Sequence, residues 1–248
     1  AAVHGGGVLL GAYDGEILVG FVFGFPGFEY KADHIELQHC SHMAGVLPDY
    51  QDSGVGFLLK RAQWQMVRRQ GIERITWTYD PLQSRNAKLN ITKLGAVCNT
   101  YFPNYYGELR DEINWGIPSD RFQVDWWLNS SRVIRRLSKS PRKKLDLAHY
   151  LSANITRLNE THLNAAGLIA PRQHNLSFSS KQLLLLEIPA DFPAIKAADP
   201  VLAYDWRMHT RIIFEEVFTA GYLVTDFVFL PGSQPRSYYV LSYGDSTL

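Results

Sequence analysis

The stretch "GVLPDYQDSGVGFLLKRAQWQMVRRQG", from Gly45 to Gly71, constrains this chain most. An apolar run meets Pro48, passes into a polar loop ending Gly54-Val55-Gly56, and continues as a long amphipathic segment closed by Gly71. Apolar residues at Leu58, Leu59, Ala62, Met66 and Val67 recur at helical spacing. Arg68 and Arg69 suit the negative end of the helix dipole, and Gly71 suits a C-terminal cap. A strand therefore enters a helix through a glycine loop. Unpaired N–H groups at such a helix start attract an anion, and glycines let the main chain approach a phosphate closely. Alone, the same loop also reads as an ordinary turn.

The neighbouring segments narrow the fold. "GGVLLGAYDGEILVGFVFGFPG" (Gly6 to Gly27) reads as two strands joined by a turn at Asp14-Gly15. Residues Ile35 to Leu47 form a third strand, whose only breaker, Gly45, suits a bulge. "ERITWTYDP" is a strand ended by Pro81, and "SRNAKLNITKLGA" a short helix with Ser84 as its cap and Gly95 near its end. "RFQVDWWL" is a further strand. This order is a mixed α/β layout, and it does not alternate regularly enough for a doubly wound parallel sheet. The loop lacks the Gly-x-Gly-x-x-Gly dinucleotide fingerprint, and no Gly-Lys-Ser/Thr follows it as a P-loop requires.

With 248 residues the chain can form one large domain or two small ones. Its net charge of +1 gives no global attraction to nucleic acid or anionic membrane. Two cysteines, Cys40 and Cys98, make no disulfide framework and no metal-ligand spacing, which points to a reducing cytoplasmic setting. No apolar run approaches the length of a membrane span, and no secretory signal is visible. Without such a signal, the Asn-x-Ser/Thr triplets at Asn90, Asn129, Asn154, Asn159 and Asn175 read as coincidence. Seven basic residues between Arg132 and Lys144 mark a composition shift, read as a solvated linker or helix face with an anion-attracting patch as the sharper alternative. Beyond it, "QLLLLEIP" is a buried strand, and Asp199-Pro200 starts a helix that Gly221 ends. "YLVTDFVFL" and "RSYYVLSYG" then flank "PGSQP" as a hairpin.

Gln51-Asp52-Ser53-Gly54-Val55-Gly56 fits Gln/Arg-x-x-Gly-x-Gly/Ala between a strand and a helix, and "SRNAKLNITKLGA" follows it at a matching distance. The arrangement resembles the acyl-CoA-binding motif of the GNAT superfamily of N-acyltransferases. "SHMAGVLPDYQ", "TWTYDPLQSRNA", "TKLGAV" and "SDRFQVDWWL" look like a bacterial subgroup of predicted GNAT acetyltransferases with a C-terminal extension. The resemblance implies an α/β fold with a mixed, mostly antiparallel sheet, here lacking the family's first strand and helices. It also implies a core over 1–130, a basic helical linker over 131–160, and a C-terminal α+β region over 161–248.

The resemblance further implies that acetyl-CoA or another acyl-CoA, succinyl-CoA included, donates to the primary amine of a small molecule such as an amino acid, with no metal. Backbone groups near Val46 and Leu47 would hold the pantetheine arm, and N–H groups of Gln51, Asp52, Ser53, Gly54, Val55 and Gly56 the pyrophosphate. Asn86 or Asn90 would reach the pantetheine amides. His42 and Asp80 are the candidate bases: His42 shares a face with Val46 on a regular strand, and Asp80 ends its strand beside the implied slot. Many members place a tyrosine on the later helix as proton donor, but here that register holds Ile91, leaving water or Tyr101, Tyr105 or Tyr106. A non-catalytic acyl-CoA sensor on the same fold is the competing reading. Membrane and nucleic-acid partners are not expected, and monomer and homodimer stay open.

Overall fold

The computed structural model describes residues 1–107, 116–138, 145–153, 155–179 and 182–244. From the N-terminus, β1 (Val8–Asp14), β2 (Ile17–Tyr30) and β3 (Ile35–Val46) lead through α1 (Val55–Arg69) to β4 (Arg74–Tyr79). Then come α2 (Ser84–Ala87), β5 (Val97–Phe102), β6 (Arg121–Trp127), α3 (Ser131–Leu137) and α4 (Leu147–Ser152). The chain continues with β7 (Thr156–Arg157), β8 (Asn159–Leu163), β9 (Ile169–His174) and β10 (Leu184–Ile188). It closes with α5 (Phe192–Ala198), α6 (Pro200–Thr219), β11 (Tyr222–Leu230) and β12 (Arg236–Tyr243). The fold is mixed α/β, and most strand pairs are antiparallel.

Two compact units divide the described residues: 1–77 with 124–138, and 78–123 with 145 onward. In the first unit β1 pairs antiparallel with β2, β2 antiparallel with β3, and β3 parallel with β4. The β1–β2 hairpin forms as the sequence predicts, but its two turn residues are Gly15 and Glu16, one position on from Asp14-Gly15, because Asp14 still pairs with Ile17; Gly15 takes φ 57°. Helix α1 covers one face of these strands. It comes close to β2 because Gly20 has no side chain: a Cβ there would meet Val55 and Leu59 at 3.2 Å. Arg74 ties the sheet together from the other end, with its guanidinium on Glu29, Gln38 and Asp125 and stacked over Trp127.

The buried face of α1 differs from the face its apolar spacing predicts. Leu58 and Met66 are 59% and 42% exposed, while Leu59, Lys60, Gln63 and Val67 are buried. Two polar side chains occupy the inward stripe because β3 supplies their partners.

In the second unit β12 lies between β10 and β11 in antiparallel register, β11 also pairs with β5, and β10 pairs parallel with β7. Strands β8 and β9 form a separate two-stranded ribbon. Helix α6 begins as the sequence predicts: Asp199 accepts from the Leu202 N–H, and Pro200 takes the first helical position. The predicted helix over 84–95 is instead a single α turn followed by a π-helical segment, Lys88–Lys93, closed by Gly95 at φ 76°. Ser84 does not cap it, because its hydroxyl is shared with that of Ser237 at 2.8 Å. Part of the basic segment, Arg132 to Leu137, lies in α3, capped by Ser130; residues 139–144 lie outside the described residues. Among the described residues, no helix is long and apolar enough to cross a membrane.

Candidate active site

The site in the first unit starts from an irregularity in β3. Phe23 faces Met43 and Phe25 faces Cys40, so Ser41 and His42 share the place opposite Gly24. This extra residue is the bulge the sequence suggests, displaced from Gly45. Gly45 is needed for another reason, since a Cβ there would meet the Phe21 ring at 3.2 Å. The bulge re-aims side chains. His39 and Ser41 point under α1 and are buried, whereas His42 turns outward against the rings of Phe23 and Phe25 at 6.3 and 5.6 Å. Parallel pairing with β4 covers only His39 opposite Ile75 and Cys40 opposite Thr76. Beyond Cys40 that edge of β3 has no ladder partner among the described residues, so it offers main-chain groups that a continued sheet would consume.

The loop after β3 is fastened to this edge. Pro48–Tyr50 form a 3-10 turn, and the Tyr50 hydroxyl donates to Asp14 at 2.9 Å. The Gln51 amide reaches back to the Val46 carbonyl at 3.1 Å. Asp52 and Gly54 both adopt positive φ, 62° and 97°, which turns the chain sharply into α1. Ser53 donates its hydroxyl to the Tyr50 carbonyl at 2.5 Å and so does not cap the helix. Gly54 is the N-cap residue, no side chain caps α1, and its first turn holds no acidic residue. The positive end of a fifteen-residue helix therefore opens at Gly54, Val55 and Gly56. Leu47 is less open than the sequence reading supposes. Its N–H donates to Val19 and its carbonyl accepts from Tyr50, at 2.9 and 3.0 Å.

Behind the bulge lies a polar cluster that the sequence reading missed. Lys60 donates to the Ser41 hydroxyl at 2.7 Å, approaches the Gln63 carbonyl oxygen at 3.4 Å, and sits 3.8 Å from the centre of the Trp77 ring. Ser41 donates to the same Gln63 oxygen at 3.0 Å, and the Gln63 amide nitrogen lies 3.3 Å from His39 Nε2. Burial lowers the Lys60 ammonium to about 7. Burial, with the nearby Lys60 charge, lowers His39 to about 4, and its Nδ1 has no hydrogen-bond partner. Gly24 makes the room: a Cβ there would stand 2.4 Å from His39 Nε2. The available signal was Lys60 and Gln63 interrupting an otherwise apolar inward stripe.

No protein-family profile matches the chain, and no curated protein does. Solved structures similar to it include an acetyltransferase from Vibrio fischeri, at 16% identity over 28% of this chain and 57% of that one, with a TM-score of 0.26. The chain thus spans little more than half of that protein. An IAA acetyltransferase from Bacillus cereus aligns at 16% identity over 51% of this chain and 80% of its own, with a TM-score of 0.41. A GNAT family acetyltransferase from Elizabethkingia anophelis, with acetyl-CoA bound, aligns at 14% identity over 51% and 78%, also at 0.41.

The remaining candidates belong to the second unit. Asp80 follows β4 directly, and its carboxylate is committed: one oxygen accepts from the Leu82 N–H at 2.9 Å, the other from buried Arg207 at 2.6 Å. It is the one carboxylate at ion-pair distance from Arg207 among the described residues. Asp80→Ala is expected to lower unfolding stability by roughly 3 kcal/mol, because it strands a buried guanidinium. Urea denaturation checks this, and an unchanged midpoint would refute the structural role. Tyr105 is 48% exposed and packs its ring against Phe102 and Tyr106. Tyr101 donates to Asp120 at 2.5 Å, and burial beside that carboxylate raises its hydroxyl far above the usual range. Asn86 is exposed on α2, Asn90 is buried in the π-helical segment, and Ile91 is wholly buried.

Proposed function

We propose that this chain is a CoA-dependent N-acyltransferase that moves a short acyl group to the primary amine of a small molecule. The observation that carries the reading is one continuous surface. An unpaired β3 edge beyond a bulge is tied by Gln51 to an uncapped, glycine-started helix N-terminus. Such a surface suits a ligand with amides at one end and phosphates at the other. The Gln51–Gly56 loop motif, which resembles the family's pyrophosphate cradle, supports the same assignment.

On this reading the pantetheine amides take the place of a strand along the β3 edge from Ser41 to Gly45, the Val46 carbonyl being held by Gln51, and N–H groups at Gly54, Val55 and Gly56 hold the pyrophosphate. The neutral amine attacks the thioester carbon, forming a C–N bond and a tetrahedral oxyanion that a main-chain N–H on the open edge stabilises. Collapse breaks the C–S bond, the amine nitrogen loses a proton, and the CoA thiolate gains one. His42, outward-facing on this same strand, is the base we assign to the amine proton. An amino acid is the acceptor and acetyl or succinyl the acyl group that we would try first.

A sensor that binds acyl-CoA without turnover is favoured by one observation: Ile91, at the position where the family's usual proton donor would fall, is sealed in the core. Thermal unfolding with acetyl-CoA, succinyl-CoA and CoA tests the shared part. Saturating ligand at a hundred times its Kd stabilises by about 2.7 kcal/mol, a shift of several degrees. No shift with any of the three would refute both readings. Thiol release that depends on an added amine separates the enzyme from the sensor.

A further inference from the structure

A second site lies wholly within the second unit, and its argument is independent of the acyltransferase reading. Strands β10 and β12 and the β8–β9 ribbon enclose a cavity of about 830 Å³ whose lining is mostly polar. That volume is in the range of small-molecule sites. Leu185 and Tyr238 give it an apolar floor, while Arg157 and Arg236 place two guanidinium groups on its wall.

The wall is built rather than incidental. Glu187 is buried, yet its carboxylate is gripped by the Arg236 fork and by the Thr161 hydroxyl. Asn159 clamps the ribbon beside it, donating to the Glu187 carbonyl and accepting from the Glu187 N–H, both at 2.9 Å. Arg236 engages Glu187 through Nε and one terminal nitrogen, and 41% of its side chain stays exposed. Arg157 is exposed, lines the same cavity, and has no carboxylate at ion-pair distance among the described residues. An exposed guanidinium with no carboxylate partner among the described residues matches the planar, two-oxygen geometry of a carboxylate. Glu160, also in the lining and exposed, carries the opposite charge and works against polyanions such as pyrophosphate.

We infer that this cavity binds a small polar molecule through a carboxylate group, with Arg157 as its principal contact and the exposed part of Arg236 as support. Isothermal titration calorimetry of the whole chain with glutarate, its neutral diamide glutaramide, and inorganic phosphate tests it. Glutarate should bind saturably and glutaramide should not. Arg157→Gln should weaken glutarate by at least about tenfold, the loss of one charge-assisted contact, with the thermal unfolding midpoint unchanged. Arg172→Gln, an exposed substitution outside the cavity lining, should leave binding as it is. Absent glutarate binding, equal binding of the diamide, or an Arg157→Gln variant that binds like the parent would each overturn the site. Phosphate binding more tightly than glutarate, with the same dependence on Arg157, would overturn the carboxylate assignment.

Discussion

Lys60→Met should make the protein more stable at neutral pH and remove one component of its pH dependence. Lys60 is buried, and its ammonium meets a hydroxyl, an amide oxygen and the face of Trp77, with no carboxylate at ion-pair distance among the described residues. These contacts offset only part of the lost hydration, so the folded state disfavours the proton and the pKa falls from 10.5 to about 7. Between those two values the unfolded chain holds a proton that the folded chain has released. Stability from this group therefore rises with pH through the window, and the full cost of the buried charge applies below about 7. At about 1.4 kcal/mol per unit, that cost is on the order of a few kcal/mol.

Methionine keeps the stem's length and carries no charge, while Ser41 can still donate to Gln63 and Gln63 still faces His39. The measurement is chemical denaturation of parent and variant at several pH values. Their difference should be largest at and below neutrality and should shrink as pH rises toward 10.5. A variant less stable than the parent at neutral pH, or a difference that ignores pH, would show that the cluster's hydrogen bonds outweigh the desolvation.

The same cluster marks where sequence reading stops. Features that depend on near neighbours were legible: the β1–β2 hairpin, the start of α1 after Gly54, Gly71 in a left-handed conformation after it, and the Asp199-Pro200 cap. Each is a local preference of the backbone. The orientation of α1 was not, because Lys60 and Gln63 turn inward only when Ser41 and His39 wait on a bulged strand about twenty residues earlier. The end of the later helix was lost in the same way. Ser84 is a good cap in isolation, yet its hydroxyl is taken by Ser237, 153 residues away. Strand β5 and the β8–β9 ribbon went unread as well; on its β11 side β5 is matched through Val224 with Cys98, two residues far apart in the chain. In the candidate site, the loop was readable from its glycines, but the employment of Leu47 and Asp80 was visible only with their partners in place.

Gly54→Val should abolish acyl-CoA binding where Gly54→Asn largely preserves it. Gly54 sits at φ 97°, a conformation costly for residues with a Cβ and worst for β-branched ones, and nothing lies within 4 Å of where a Cβ would go. The demand at this position is therefore conformational and not one of space. Valine would push the backbone out of the left-handed region, at a cost of roughly 1–2 kcal/mol, and would swing the first N–H groups of α1 away from one another. Those groups have no side-chain cap to hold them, and the Leu58 N–H bond to the Gly54 carbonyl would be disturbed with them. Asparagine visits the left-handed region with a smaller penalty, and its side chain would project into the open space. Affinity for CoA, measured by calorimetry, should fall by at least about a hundredfold for valine, since several charge-assisted contacts at about 1.5–3 kcal/mol each are misdirected together. For asparagine the fall should stay within about tenfold. Equal losses in the two variants would mean that the loop's open space, and not its backbone conformation, receives the ligand. Unchanged binding in both would remove the phosphate from the start of α1 altogether.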